Sequence, residues 1–207
     1  MMNHISLRKR IGLVFMVVFA FSAWACASAV PAPTENIPSS IPDTPVPTPS
    51  PPEANASTML GEDIPLASRE HIQEGMAAND WTSDPPTSGQ HYGTWAPAGF
   101  YPDVIADEYL VHDMEHGYVI IYYNCALVED CDAFKTEIEA AMADAGNDPD
   151  THTVKIIAVP RENMNNPITY ASWGHLYKAE TFVPEELVSY VHFYRSNSTY
   201  APEWNLP

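Results

Sequence analysis

The chain has 207 residues, with 9 basic against 27 acidic side chains and a net charge of −18 at pH 7. Three of the basic residues and none of the acidic ones fall before position 30, so the rest of the chain carries 6 basic and 27 acidic groups, a net charge of −21. Such a surface excludes nucleic acid and anionic lipid faces as partners, since both require basic patches, and it concentrates cations around itself.

Residues 1–29 have the three parts of an export signal: Arg8-Lys9-Arg10, an apolar stretch from Ile11 to Ala23, and small residues after it. The apolar stretch is shorter than the ~20 residues that a membrane-spanning helix needs. Two processing outcomes compete. Ala23-Trp24-Ala25-Cys26 resembles the bacterial lipobox, with Trp24 unusual at its place, and lipidation of Cys26 would anchor an extracytoplasmic lipoprotein to the membrane. Cleavage after Ala27-Ser28-Ala29 would instead release a secreted protein. The following segment, residues 30–58, favours the anchor. It holds Pro31, Pro33, Pro38, Pro42, Pro45, Pro47, Pro49, Pro51 and Pro52 with few large apolar residues, which suits an extended tether that does not fold.

Residues 59–207 make one globular domain of a size that can bury a core. From Met59 to about Asp107 breakers dominate, among them Asp84-Pro85-Pro86-Thr87-Ser88-Gly89, and this half reads as loop with one helix over Ser68 to Ala78. Asp107 to His116 reads as a short helix stopped at Gly117, or else as an extended segment; Tyr118 to Tyr123 reads as a buried strand. Cys125 and Cys131 stand six apart and read as a disulfide in an oxidising compartment, with a soft-metal pair as the alternative. A helix follows over Asp130 to Ala145, with Phe134, Ile138, Ala141, Met142 and Ala145 on one face and Gly146 at its end. Strands are expected over Thr153 to Val159 and Ile168 to Tyr177, and Pro184 opens a last helix carrying Leu187, Val188, Val191 and Tyr194. The class is α+β: a small sheet with β-α-β-β-α order in the C-terminal half, helices on one face, and the loop-rich half packed against it.

The chemistry concentrates in His112-Asp113-Met114-Glu115-His116-Gly117. Helical spacing would put His112 and His116 on one face, a chelating geometry for Zn²⁺ or Cu²⁺, with Glu115 beside them. His152 and His192 read as structural histidines, and His175 fits either role. Met76, Met114 and Met164 are core fillers or thioether ligands; Trp81, Tyr92, Trp95 and Tyr101 form a ligand-binding aromatic surface or a small second core.

The motifs Glu70-His71-Ile72, Pro85-Pro86-Thr87-Ser88-Gly89-Gln90-His91, Gly99-Phe100-Tyr101, Val111 to Gly117, Ser172-Trp173-Gly174 and Pro202-Glu203 occur in that order. In this the chain resembles the bacterial domain-of-unknown-function family 3105, found in secreted and membrane-anchored proteins. The resemblance runs from about His71 to Glu203 and implies that His71, His91, His112 and His116 are shared positions. His175 falls where other members often carry Arg, and Cys125 and Cys131 lie outside the shared pattern. The expectation that follows is a metal site of His71, His91, His112 and His116 holding copper or zinc, in a protein that binds or delivers metal outside the cytoplasm. One alternative is a zinc-dependent hydrolase using His-x-x-Glu-His, with Glu115 as the catalytic group that activates water. Another is a non-catalytic interaction module of the cell envelope, in which the same side chains tie loops to the sheet. No protein partner is legible.

Overall fold

A computed structural model describes residues 59–207; the signal expected over 1–29 and the tether expected over 30–58 lie outside the described residues. The chain forms strands β1 (Glu62–Asp63), β2 (His71–Ile72), β3 (His91–Tyr92) and β4 (Gly99–Phe100), then helix α1 (Asp107–Glu115) and strand β5 (Val119–Tyr123). Helix α2 (Cys131–Ala145), strands β6 (Ile156–Pro160), β7 (Ile168–Ser172) and β8 (His175–Ala179), and helix α3 (Pro184–Tyr194) follow. Six strands make a mixed sheet in the order β1-β8-β7-β5-β6-β4, and β2 pairs with β3 in a separate two-stranded ribbon.

Strand β5 lies inside this sheet, parallel to β6 and antiparallel to β7, and all five of its residues are buried. A strand covered on both faces has no polar alternation, so Val119-Ile120-Ile121-Tyr122-Tyr123 reads as one apolar run. Its side chains nonetheless divide by parity. Val119, Ile121 and Tyr123 join Phe134 and Ile138 of α2 and Leu187, Tyr190 and Val191 of α3 in one core. Ile120 and Tyr122 join Leu110, Val111 and Met114 of α1, with Ala96 and Trp173, in a second. Helices α2 and α3 thus cover one face of the sheet, while α1 and the loop-rich half cover the other. The α+β class expected from the sequence is the class observed.

Three local expectations are corrected. Residues 68–78 form no helix: their backbone is committed to the β2–β3 ribbon, the His91 amide donates to the Glu70 carbonyl, and Gly75 turns the chain at φ +88°. The strand expected over 168–177 is two strands, β7 and β8, folded back on each other at Trp173-Gly174 with Ser172 opposite His175. The strand expected from Thr153 begins only at Ile156, because His152 and Lys155 have positive φ and break the extended backbone. Cys125 and Cys131 are disulfide-bonded, with Cα atoms 5.2 Å apart, between β5 and the first turn of α2. Asp130 caps that helix, its side chain accepting from the amides of Asp132 and Ala133.

Candidate metal centre

Helix α1 is nine residues long and opens with Asp107 and Glu108, which suit the positive end of the helix dipole. Leu110, Val111 and Met114 face the sheet. His112, Glu115 and His116, all buried, face instead toward the loop-rich half. The helix stops because Gly117 takes φ +85°, with its amide on the Met114 carbonyl and the Tyr118 amide on that of Asp113. A side chain at 117 would collide with the backbone of Ser196, whose Cα lies 2.9 Å from the position of a Cβ there. The turn therefore has to be glycine, both for its dihedral and for its neighbour.

The β2–β3 ribbon brings the other histidines to this helix. It is parallel, with His71 directly opposite His91. Their rings lie 4.7 Å apart, and each is within 5.2 Å of the His112 ring. One nitrogen from each of His71, His91 and His112 and one carboxylate oxygen of Glu115 all lie within 4.8 Å of one another, so this group can hold a metal ion.

The outer ring nitrogens fix the inner ones. Nδ1 of His91 is 2.7 Å from the Gly89 carbonyl oxygen, that of His112 is 2.6 Å from Tyr92 O, and that of His116 is 2.7 Å from Pro207 O. A carbonyl oxygen only accepts, so each of these Nδ1 atoms carries hydrogen and donates it. In the neutral ring each Nε2 is then left with an electron pair to share. Nε2 of His91 is fully buried, has no hydrogen-bond partner, and faces Glu115 Oε2 at 3.1 Å. Metal-bound imidazoles are commonly held in this way, the second nitrogen donating to a carbonyl that fixes the ring and its tautomer.

Two carboxylates and one guanidinium complete the surroundings. Arg69 Nε bonds Glu115 Oε1 and its Nη2 bonds Glu203 Oε1 at 2.9 Å. Glu203 Oε2 faces His116 Nε2 at 3.4 Å, and Nε2 of His116 lies 3.0 Å from that of His112. Burial pushes the Glu115 carboxyl up, but its contacts with Arg69, and with His91 in that ring's protonated form, outweigh this and hold it down at about 2. Desolvation lowers the pKa of His112. Trp95, 44% exposed, packs its indole over both His112 and His116, with ring centroids 5.6 and 5.2 Å away.

Of the four histidines expected to form the site, His71, His91 and His112 thus share one ligand group, while His116 stands beside it against His112. Glu115 belongs to the group itself. His175 lies elsewhere, with its two ring nitrogens on the hydroxyls of Tyr190 and Tyr194. Met114 and Met164 are core residues, Tyr92 is buried, and Trp81 and Tyr101 pack against the second core. Sequence reasoning left Arg69 and Glu203 without roles although both lie within quoted motifs or next to them. They are 134 residues apart, and only the fold shows that they meet.

A protein-family model described as "Protein of unknown function (DUF3105)" matches residues 71–206. No curated protein and no solved structure matches the chain.

Proposed function

The chain belongs to the DUF3105 family, and from that premise, which brings no activity with it, we propose that it binds one divalent transition-metal ion, zinc or copper(II), outside the cytoplasm. The ligands are His71, His91, His112 and Glu115. The observation that carries this reading is the inward turn of the imidazoles. Nδ1 of His91 and of His112 is spent on a backbone carbonyl, which leaves Nε2 of each to the centre, and His91 Nε2 is buried there without a partner. Three imidazoles and a carboxylate suit zinc and copper(II), both of which bind nitrogen readily. The extracytoplasmic setting rests on the export-signal pattern of residues 1–29, and membrane attachment on Cys26.

Binding rather than turnover is favoured by Glu115. Activation of a zinc-bound water needs a carboxylate held off the metal, free to take a proton. Here Oε1 is occupied by Arg69 and Oε2 points into the histidine group, so the carboxylate stands where a ligand stands. The test is elemental analysis of purified protein beside His91→Ala and Glu115→Ala variants. About one equivalent of zinc or copper is expected in the parent protein and less than a tenth of that in His91→Ala. Equal metal content in all three proteins rejects the proposal.

A further inference from the structure

The group of four leaves His116 and Glu203 unexplained, and their geometry repeats that of the inner ligands. Arg69 takes Oε1 of Glu115 and Oε1 of Glu203, so each carboxylate turns Oε2 toward an imidazole Nε2: His91 at 3.1 Å for Glu115, His116 at 3.4 Å for Glu203. His116, like His91 and His112, donates from Nδ1 to a main-chain oxygen and is buried. Its Nε2 and that of His112 face each other at 3.0 Å. In the neutral rings both nitrogens present electron pairs, and a cation between them, a proton or a metal ion, satisfies both. Two bonds of about 2.0–2.1 Å meeting near a right angle at a metal span roughly that separation.

We propose a second, outer position for the same ion, formed by His112 Nε2, His116 Nε2 and Glu203 Oε2, through which metal passes on its way to and from the inner site. It rests on the proposal that the inner group binds metal. His112 has a single inward electron pair, so it cannot serve both positions at once; they are alternatives, occupied in sequence, with His112 as the shared ligand. The outer position lies toward solvent. The Glu203 side chain is 34% exposed, and the partly exposed indole of Trp95 packs over both histidines. At the inner position His91 and Glu115 are fully buried, while the side chain of His71 is 54% exposed. Arg69, bound to both carboxylates, holds the two positions in register without occupying either Oε2.

The test is stopped-flow loading with Co²⁺, whose visible absorption reports coordination by protein ligands. The parent protein is expected to load in two phases, the first with a rate proportional to Co²⁺ concentration and the second independent of it. His116→Ala and Glu203→Gln are expected to lose the first-phase intermediate and to load at least tenfold more slowly. Glu203→Gln changes one atom, so it serves even where the histidine variant folds poorly. A single concentration-proportional phase in the parent protein, or two phases retained in both variants at rates within twofold, overturns the outer position while leaving the inner site standing. A parent protein that develops no Co²⁺ absorption at any concentration overturns both.

Discussion

Asp113 lies between the helix face that packs on the sheet and the face that carries His112, Glu115 and His116. It is fully buried; one oxygen accepts from the Ala96 amide at 3.2 Å, and the other has no partner. Burial lifts its pKa to about 8. A carboxyl raised in the folded state makes the folded protein hold more protons than the unfolded one between the ordinary value, near 4, and 8. Stability therefore falls as pH rises through that window and levels off above it. Asp113→Asn removes this dependence. The variant is expected to exceed the parent by on the order of 3 kcal/mol at pH 8 and to show no gain at pH 4, by urea unfolding of metal-free protein. A parallel pH profile in the two proteins contradicts the assignment.

At the same scale, legibility divides by chemistry. Histidines announce themselves, because the residue type is scarce and its ligand role is distinctive. Glu115 was legible too, as the carboxylate three residues after His112 on one helical face. Arg69 was not, since a surface arginine has many uses and its partners lie 46 and 134 positions away.

Elements were legible where burial repeats at a fixed period. Helix α2 shows its apolar face at Phe134, Ile138, Ala141 and Ala145 and its cap at Asp130. Strand β5 shows an unbroken apolar run. The β7–β8 hairpin was hidden because Trp173, at its turn, is itself buried, so the apolar pattern runs through the bend. The ribbon of β2 and β3 was hidden for the opposite reason: two-residue strands have no period to read. The junction between α1 and β5 is a tightly constrained connection beside the site. Gly117→Ala forces a methyl group against Ser196 in a left-handed dihedral, and a loss of about 2–4 kcal/mol is expected. Thermal melting of the metal-free protein measures it. A change below about 0.5 kcal/mol would show that the backbone at Ser196 yields freely.

Across the whole molecule, one buried cation ties the end of the chain to the site. Lys155 Nζ donates to the carbonyls of His116, Trp204 and Leu206 at 2.9, 2.8 and 2.5 Å. The Glu203 amide also donates to the Glu115 carbonyl, so residues 203–207 run along the C-terminal end of α1. Lys155→Met leaves three carbonyls, the buried one of His116 and the partly buried ones of Trp204 and Leu206, without their donor. It is expected to lower stability by about 3 kcal/mol and to speed hydrogen exchange at the amides of Glu203 and Leu206. Unchanged exchange there would mean that the segment is held by other contacts. This long-range tie was not legible in the sequence, where Lys155 stands as an ordinary residue at the start of an expected strand.

The parallel register of His71 against His91 makes residues 73–90 an excursion that leaves the ribbon and returns to it. Only four residues of backbone pairing shut this loop. The proposed ion, gripped by both rings, would shut it again, as a rivet beside a seam. A covalent bridge across a loop of about 20 residues restricts the unfolded chain by roughly 3 kcal/mol, and a tightly held ion acts in the same sense. Loading would then change the protein's resistance to nicking within that excursion, so an ion carried as cargo would also serve, while aboard, as a fastener.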